Sequence, residues 1–369
     1  MKIGIEGERA NHLSPTGVER YATELIKNLA KLDKENEYVL YFRTEPQEWF
    51  KHLPPNFKLR VIPFPKFWTQ TRLTLELLLH PVDVFVLPIQ ALPFLHPRNS
   101  IITVHDVAYE IFPQAFAGFM LFYLKLTTRW GVWRAKKIIA VSESTKKDVV
   151  KFYGADPDKI TPVHLGVDSQ YKPLPYDQVQ AVLDKYGLSY KKYILFVGTM
   201  QPRKNIVGLV EAFEKLKKDY RIEEKLVLVG GKGWLWEAII QRIETSPVRD
   251  SIKIMDYVPV ADLPTLYNGA IVETLPALYE GFGLPPLEAM ACGTPVVVSD
   301  ISSLPEVVGD AGVLVKPSDS EALAQGLLKV LVDPNLREEM SRKGIERAKR
   351  YTWESCARKI LDVINSFRK

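Results

Sequence analysis

The chain has 369 residues, more than one hydrophobic core usually supports, so two domains are expected. Its composition is that of a globular protein, with 46% apolar and 25% charged residues, and its two cysteines, Cys292 and Cys356, form no metal-binding cluster. Residues 1–165 carry the whole net charge of +5, because residues 166–369 hold 27 basic and 27 acidic side chains. This basic excess suits an anionic partner, but no nucleic-acid-binding motif accompanies it.

The N-terminal sequence MKIGIEG starts directly as a short apolar strand and lacks the pattern of a signal peptide. The most apolar window, residues 115–126, is interrupted by Lys125 and is shorter than the roughly 20 residues that a membrane-spanning helix needs. Two cysteines far apart in sequence fit a reducing compartment. We therefore expect a cytoplasmic protein.

In the first half of the chain, short runs rich in β-branched residues alternate with helical patterns. Apolar residues at three- and four-residue spacing predict a helix over 16–32, and another helix is predicted from Ser142 to Gly154. The strand candidates are residues 2–6, 38–42, 58–62, 82–87, 100–106 and 136–142. Strands separated by helices predict a parallel sheet that binds ligands beyond the carboxyl ends of its strands.

Two of these strand ends carry candidate functional residues. The loop after the first strand ends with Gly17 at a helix start, which is either an anion contact or an ordinary helix N-terminus capped by Ser14 or Thr16. The strand ending in TVHD places His105 and Asp106 at a carboxyl end. A lone histidine in such a place serves either in packing or in chemistry, and these residues alone leave both open.

Two segments of the first half have the composition of membrane-contacting helices. Residues 66–80 and 116–137 mix Trp, Phe and Leu with Lys and Arg, as interfacial helices do. Helices packed on the sheet, with basic ends that reach solvent, have the same composition. A peripheral contact with an anionic membrane, at the inner face of the cytoplasmic membrane, is therefore one of two interpretations.

The second half of the chain starts a new alternation of strands and helices. Residues 164–177 contain turn residues and prolines without periodicity and are the predicted linker. The strand candidates beyond it are residues 193–198, 226–231, 252–255, 270–272, 295–299 and 312–315. This pattern predicts a second doubly wound α/β domain.

The sequence YEGFGLPPLEAMACGTPVV, residues 279–297, places Glu280 and Glu288 on either side of a glycine turn and a proline-marked helix start. Gly281 and Gly283 lack a Cβ, so their N–H groups can approach a ligand closely. Helix starts attract anions, and Glu288 is predicted in the first helical turn, where a carboxylate is favourable. The segment is either a phosphate site between two carboxylates or a tight connection whose glutamates face solvent.

Residues 198–206, GTMQPRKNI, place Arg203 and Lys204 at the carboxyl end of a predicted strand. Arginine can bind phosphate bidentately and lysine adds a point charge, so the pair favours a diphosphate site. Taken alone, the motif favours a solvated pair of cations, because charged residues are mostly exposed. Asp156 and Asp158 have the spacing of a metal-binding pair but fit a helix-to-strand turn better, so no metal site is predicted.

Four motifs, namely TVHD, PRKN at 202–205, E-x7-E at 280–288 and the terminal YTWE, occur in the order typical of one enzyme family. Over nearly its whole length the chain resembles the GT-B-fold retaining glycosyltransferases of family 4. The resemblance implies two Rossmann-like domains facing a cleft, with the last helix crossing back to the first domain. The implied domains are an acceptor domain of residues 1–168 completed by 353–369, and a nucleotide-sugar donor domain of residues 169–352.

The resemblance also implies roles for the motif residues of the second domain. Arg203 and Lys204 would hold the donor diphosphate, and Glu288 would bind the ribose hydroxyls. The donor sugar and phosphate would contact Glu280, Gly281, Phe282, Gly283 and Leu284, and the base would pack on Asp256, Tyr257 and Val258. These residues would form the donor half of the site.

For the first domain, the resemblance implies that Gly17 contacts the donor phosphate, that His105 lies beside the anomeric carbon and that Asp106 lies closer to the acceptor. The family is understood to use front-face substitution with retention, in which the leaving phosphate helps to deprotonate the acceptor hydroxyl and no metal is required. Glu280 as a covalent nucleophile ranks below a binding role. The catalytic candidates are therefore His105, Asp106 and Glu280.

VGTMQPRKN together with GGKGW resembles the mannosyltransferase-like branch of bacterial surface-polysaccharide enzymes. This favours GDP-mannose as donor and leaves UDP-sugars open, with no further cofactor and no nucleic acid. A glycan or lipid-linked oligosaccharide acceptor agrees with the basic, aromatic first domain. The alternatives are a protein of the same fold that binds a nucleotide sugar without transferring it, and a nucleotide-sugar epimerase.

The chain departs from the family pattern at several positions. Thr199 stands where the family often has Arg, which gives more weight to Arg203 and Lys204. Ala277 replaces a common Ser. Glu273 stands where an apolar strand residue is usual, and a buried carboxylate there is expected to be costly. The sequence offers no physical reason for Glu273.

Overall fold

The computed structural model of the chain describes residues 1–12, 17–116 and 118–368. Ser14 and Thr16, the predicted capping residues of the first helix, lie outside these ranges. Within the ranges, no helix combines the length and the apolar character that crossing a membrane requires.

The chain forms two compact units. The N-terminal unit consists of residues 1–166 together with the C-terminal segment that begins at Thr352. The C-terminal unit consists of residues 167–351. The predicted division, after residue 168 with a return at 353, differs from these positions by one or two residues.

The described part of the N-terminal unit is built on a sheet of seven parallel strands. The strands are β1 (Lys2–Glu6), β2 (Glu37–Phe42), β3 (Phe57–Val61), β4 (Val84–Leu87), β5 (Ser100–Val104), β6 (Lys137–Ala140) and β7 (Ile160–Pro162). Their order is β3-β2-β1-β4-β5-β6-β7, so the direction of strand addition reverses between β1 and β4. Ligands of doubly wound sheets bind at the carboxyl ends beside such a reversal.

The helices of this unit connect its strands as the sequence pattern predicts. They are α1 (Gly17–Leu32), α2 (Thr74–Leu79), α3 (Ala108–Ile111), α4 (Gly118–Arg134) and α5 (Glu143–Tyr153). The predicted apolar spacing is seen in α1, which buries Tyr21, Leu25 and Leu29. The sequence pattern does not predict β7, because a three-residue strand that ends in proline has no periodicity. Its position at the edge of the sheet tolerates the proline.

The C-terminal unit is a second parallel sheet, with six strands among its described residues. The strands are β8 (Tyr193–Val197), β9 (Lys225–Val229), β10 (Ile252–Met255), β11 (Val272–Leu275), β12 (Val296–Ser299) and β13 (Val313–Val315). The helices are α6 (Tyr176–Leu183), α7 (Ile206–Asp219), α8 (Trp236–Glu244), α9 (Leu263–Gly269), α10 (Leu284–Ala291), α11 (Leu304–Val308), α12 (Ser320–Val332) and α13 (Pro334–Ala348). The predicted α/β class with two Rossmann-like parallel-sheet domains is confirmed.

In this second sheet the strand order is β10-β9-β8-β11-β12-β13, so the reversal lies between β8 and β11. The loops that leave these two neighbouring strands therefore start side by side. The strand predicted at 270–272 is β11, which begins only at Val272 and includes Glu273. Glu273 pairs with Leu195 of β8 on one side and with Val296 of β12 on the other, which places it inside the sheet.

The terminal helix α14 (Trp353–Asn365) belongs to the N-terminal unit and packs against α1, so the predicted return of the last helix to the first domain is confirmed. Thr352 caps it, since its Oγ accepts the N–H of Ser355 at 3.1 Å. Gly166 lies directly against the start of the helix: a Cβ at this position would be 2.1 Å from the backbone nitrogen of Trp353.

We expect Gly166→Ala to lower the free energy of unfolding by about 1–3 kcal/mol or more, because the added methyl group meets backbone atoms that cannot rotate away. Urea unfolding followed by circular dichroism measures the change. Gly118→Ala is the control: its Cβ would meet nothing within 4 Å, and its effect should stay below about 1 kcal/mol. Equal unfolding midpoints for the two variants would contradict the close contact.

Candidate functional site

The predicted donor residues lie at the reversal of the second sheet. The loop after β8 carries Arg203 and Lys204, and the loop after β11 carries Glu280 and the glycine turn. Since β8 and β11 are hydrogen-bonded neighbours, the two loops leave the sheet at the same edge. Two motifs that are far apart in sequence therefore meet, as expected at the carboxyl ends of parallel strands.

Arg203 and Lys204 lie in a single 3₁₀ turn, Pro202–Lys204, immediately before α7. The turn ends at Asn205, which adopts a left-handed conformation with φ of 56° that asparagine tolerates better than most residues. Asn205 Nδ2 donates to the carbonyl oxygen of Pro317 at 2.6 Å, so its side chain holds the turn in place. Lys204 is only 6% exposed, and the interpretation of Arg203 and Lys204 as a solvated pair is therefore wrong.

Both cations bind the same carboxylate. Glu280 Oε2 accepts from Lys204 Nζ at 2.6 Å and from Arg203 Nη1 at 3.2 Å. Arg203 Nη1 also donates to the carbonyl oxygen of Tyr279 at 3.1 Å, and the N–H of Leu278 donates to the carbonyl oxygen of Arg203 at 2.7 Å. The three charged side chains of Arg203, Lys204 and Glu280 form a partly buried group, called the ion cluster below.

The ion cluster sets the charge of Glu280. Burial by itself would raise the pKa of this carboxyl group, but the positive charges of Lys204 and Arg203, with their hydrogen bonds, hold the pKa below its ordinary value. Glu280 is thus a carboxylate at neutral pH. Two cations share this one bound carboxylate, so the ion cluster carries a net positive charge that suits an anion.

Two serines fix the turn that follows Glu280. The N–H of Glu280 donates to Ser302 Oγ at 3.0 Å, and Ser303 Oγ lies 2.8 Å from the carbonyl oxygens of both Glu280 and Phe282. The sequence motifs do not predict either serine, although both follow β12 at the carboxyl edge of the same sheet. Their position after a strand, in SDISS, was the available signal.

Gly283 makes the turn possible. Its φ of 109° lies in the region that favours glycine, and a Cβ there would be 2.7 Å from Leu304 Cδ2. Helix α10 begins at Leu284, and Pro285 and Pro286 occupy its first turn, where no intrahelical N–H donor is needed. The predicted glycine turn and proline-marked helix start are both present.

Glu288 is buried, at 4% exposure, and accepts a hydrogen bond from the hydroxyl of Tyr267 on α9 at 2.9 Å. The prediction that it lies in the first helical turn is wrong. Because α10 begins at Leu284, before the prolines, Glu288 is the fifth helical residue and its side chain points inward. The alternative of a solvent-facing glutamate is wrong as well. Tyr267 was missed, since nothing in its local sequence marks it.

The remaining donor candidates also follow strands of this sheet. Tyr257 and Val258 come after β10, which is separated from β8 by β9. Tyr257 is 68% exposed and Val258 is buried. The exposed ring of Tyr257 is available for stacking, whereas Val258 anchors the loop. Their predicted contact with a base stays a prediction.

In the N-terminal unit, Gly17 begins α1, and the same helix reaches His105. Tyr21 of α1 presents its ring to the His105 ring with centroids 4.9 Å apart, and its hydroxyl lies 3.0 Å from Thr103 Oγ. His105 Nε2 lies 2.8 Å from the carbonyl oxygen of Pro88, so this nitrogen carries the proton. Burial lowers the pKa of His105, which favours the neutral imidazole.

Asp106 follows His105 and accepts the N–H of Ala108 with Oδ1 at 3.0 Å, at the start of α3. The pair Asp156 and Asp158 forms a turn, in which Asp156 Oδ1 accepts the N–H of Asp158 at 3.0 Å, so the turn interpretation is confirmed. Across the described residues, no three His, Cys, Asp or Glu side chains converge in a way that would hold a metal ion.

Comparison with known families divides the chain as the structure does. The model described as Glycosyltransferase Family 4 matches residues 15–171, and the model described as Glycosyl transferases group 1 matches residues 182–347. O-antigen chain mannosyltransferase B of Escherichia coli is 32% identical over 379 aligned positions, covering 96% of both chains. O-antigen chain mannosyltransferase RfbU of Salmonella typhimurium is 31% identical over 225 positions, covering 61% of this chain and 59% of that protein.

Solved structures share the fold at lower identity. WaaG, a glycosyltransferase involved in lipopolysaccharide biosynthesis, superposes with a TM-score of 0.76 at 19% identity, covering 99% of both chains. Anabaena HepE in complex with UDP-glucose superposes with a TM-score of 0.79 at 17% identity, covering 99% of this chain and 100% of HepE. The predicted GT-B fold is confirmed. Motifs, fold and relatives agree that the chain is a glycosyltransferase, a member of the group 1 and family 4 glycosyltransferases.

Proposed function

We propose that this glycosyltransferase transfers a mannosyl residue from GDP-mannose to a glycan or lipid-linked acceptor in the assembly of a surface polysaccharide. The E. coli relative named O-antigen chain mannosyltransferase B supports the sugar and the class of product, since the match spans 96% of both chains. A UDP-sugar is the second candidate donor, because HepE, of the same fold, has been solved with UDP-glucose.

The observation that carries this proposal is the ion cluster at the start of α10. Arg203 and Lys204 are fixed by hydrogen bonds of 3.2 and 2.6 Å to Glu280, so they are positioned before any ligand binds. Pro285 and Pro286 carry no N–H group, so the first turn of α10 offers the N–H of Leu284 to an anion. Cations and helix start together suit the diphosphate of a nucleotide sugar.

The proposed reaction uses these groups on the leaving side. The acceptor hydroxyl oxygen forms a bond to the anomeric carbon on the face from which the diphosphate departs. The bond between that carbon and the phosphate oxygen breaks, and the hydroxyl proton passes to a phosphate oxygen. Negative charge develops on the diphosphate, where fixed cations and N–H groups stabilise it. Arg203 and Lys204 supply the stabilising positive charge without a metal ion, and the configuration of the sugar is retained.

The other site residues take the roles that their chemistry suits. Glu288, held by Tyr267, binds ribose hydroxyls, and Glu280 contacts the donor sugar as well as the cations. In the N-terminal unit we assign His105 and Asp106 to the sugar and acceptor side of the reaction. A neutral His105 with a protonated Nε2 can accept a hydrogen bond at Nδ1.

A membrane-bound acceptor is supported by the surface of α4. Phe119, Phe122 and Trp133 are 76%, 63% and 69% exposed. The buried residues of the helix are Thr127, Thr128, Gly131 and Val132, while Arg129 and Arg134 are exposed. Aromatic side chains beside arginines are the composition that anionic membrane interfaces favour. We therefore include a peripheral contact of this unit with an anionic membrane in the proposal.

Donor identity is tested by a thermal-shift panel of GDP-mannose, UDP-glucose and ADP-glucose. At about one hundred times the dissociation constant, a ligand adds about 2.7 kcal/mol, which raises the midpoint of a unit of this size by roughly 5–10 °C. We expect the largest rise with GDP-mannose. If none of the three sugars raises the midpoint, the donor site is refuted; a larger rise with UDP-glucose would replace the proposed donor.

Lys204→Ala and Glu288→Ala should each lower mannosyl transfer by about 10²-fold or more, because each removes a group that holds the donor in the transition state. Lys215→Ala is the matched control: Lys215 pairs with Glu321 on the surface of the same unit, and its loss should leave the rate within about twofold. Radiolabel transfer in the presence of EDTA measures the rates and tests the metal independence. Circular dichroism confirms that the variants are folded. Full activity in both site variants would refute the assigned residues.

Membrane contact is tested by sedimentation with vesicles of phosphatidylglycerol and of phosphatidylcholine. The double variant Phe119→Ser and Phe122→Ser should bind anionic vesicles at least about tenfold more weakly, because two apolar side chains no longer enter the interface. Val332→Ser, at a 67% exposed position of the other unit, should bind as the unmodified chain does. Binding that is insensitive to salt and to lipid charge would count against the contact.

A further inference from the structure

Glu273 is the most unusual buried side chain of the C-terminal unit. It lies in β11 between β8 and β12, opposite Leu195 and Val296, and its exposure is 0%. Neither carboxyl oxygen has a hydrogen-bond partner among the residues that the structure describes. The other residues of β11 are also fully buried, and an apolar side chain would fit this strand without an unpaired polar group.

The surroundings of Glu273 decide its charge. Burial raises its pKa well above the ordinary value, and the nearby Glu288 on α10 acts in the same direction, whereas Lys204 acts against them. Tyr267 on α9, which holds Glu288 by a hydrogen bond, also lies within the electrostatic range of Glu273. The direction of this pKa shift favours the uncharged carboxylic acid.

The other elements packed against β11 add no charge to this environment. Leu195 of β8 and Val296 of β12 are apolar, and α12 turns Glu321 and Lys329 to solvent. Glu273 thus interacts electrostatically with the site residues Glu288 and Lys204. A buried acid without a hydrogen-bond partner among the described residues therefore lies within electrostatic range of two groups proposed to bind the donor.

We propose that Glu273 is a positioning residue of the donor site: as a neutral acid it leaves the positive charge of Lys204 to the donor diphosphate, and as a carboxylate it weakens diphosphate binding. The proposal rests on the proposed function, since it needs a diphosphate at the ion cluster. It predicts that ionisation of Glu273 weakens donor binding. Because Lys204 also stabilises the charge that develops on the leaving diphosphate, kcat/KM should fall together with donor affinity as the pH rises.

The sign of the effect follows from the raised pKa. As the pH rises towards that value, Glu273 ionises and adds a negative charge near Lys204, so the affinity for a diphosphate falls. Glu273→Gln keeps the shape of the side chain and removes the ionisation. The raised pKa also links folding stability to pH. Above about pH 4.5 the unfolded chain releases the proton of Glu273 while the folded chain keeps it, so the free energy of unfolding falls as the pH rises. This pH-dependent decrease should be absent in Glu273→Gln.

Calorimetric titration with GDP and with UDP, from about pH 6 to about pH 9.5, tests the proposal. We expect the unmodified chain and Glu273→Gln to bind within about twofold of each other at the acid end. At the alkaline end the Gln variant should bind at least about fivefold more tightly, because it keeps no negative charge beside Lys204. Infrared spectra at neutral pH should show the carbonyl band of a buried carboxylic acid that Glu273→Gln lacks.

Thr274→Val is the matched control, because it removes a buried polar group from the same strand without changing any charge. In the unmodified chain, Thr274 Oγ donates to the carbonyl oxygen of Val297 at 2.9 Å. Its pH profile should follow that of the unmodified chain. Identical profiles for Glu273→Gln and the unmodified chain, or no infrared band assigned to Glu273, would overturn the proposal while the donor site stands. If the unmodified chain binds neither GDP nor UDP, the proposed function itself fails. Glu273→Leu provides a second uncharged variant, and it should reproduce the flat profile of the Gln variant.

Discussion

The ion cluster is the interaction on which the arrangement of the candidate site in the C-terminal unit depends. Glu280 receives Lys204 Nζ at 2.6 Å and Arg203 Nη1 at 3.2 Å, and it thereby joins the loops that leave β8 and β11. Removing one partner from a buried ion pair leaves the others uncompensated, at a cost of roughly 3–5 kcal/mol. The two loops are therefore constrained together, and the sheet reversal between β8 and β11 determines where on the unit this happens.

The turn after Glu280 extends that constraint to helix α10. Ser303 Oγ donates to the carbonyl oxygens of Glu280 and Phe282. Gly283 has a positive φ, and a Cβ at this position would clash with Leu304. The direction of the helix start is thus fixed relative to the cations. Enzymes gain most from charges and dipoles that need no reorganisation during the reaction, and this segment has that property.

Much of the fold could be predicted from the sequence, because strands that are buried on both faces appear as short runs of apolar, β-branched residues. Short patterns located the strands of the second sheet, with β11 placed two residues too early, as well as the glycine turn and the PRKN segment that follows β8. The failures arose where distant residues decide the outcome. Tyr267 and Ser303 meet the site only through the fold, and the position of Glu288 depends on a helix that starts one residue before the prolines. The motifs predicted separate roles for Glu280 and the cations, and only the fold brought the three into one cluster.

Glu273 and Glu280 show how position within one sheet decides the chemistry of the same side chain. Strand β11 ends at Leu275, so Glu273 stays inside the sheet while Glu280 lies beyond its edge. Burial acts on both carboxyl groups in the same direction and raises their pKa values. At Glu280, two hydrogen-bonded cations lower the pKa by more than burial raises it. At Glu273, Lys204 makes no hydrogen bond, and the effect of burial on the pKa prevails. Hydrogen bonding to the cations therefore gives the two carboxyl groups opposite pKa shifts, downward at the edge of the sheet and upward in its interior. Lys204 acts on both groups, and this shared lysine is what would couple Glu273 to anion binding in the proposal above.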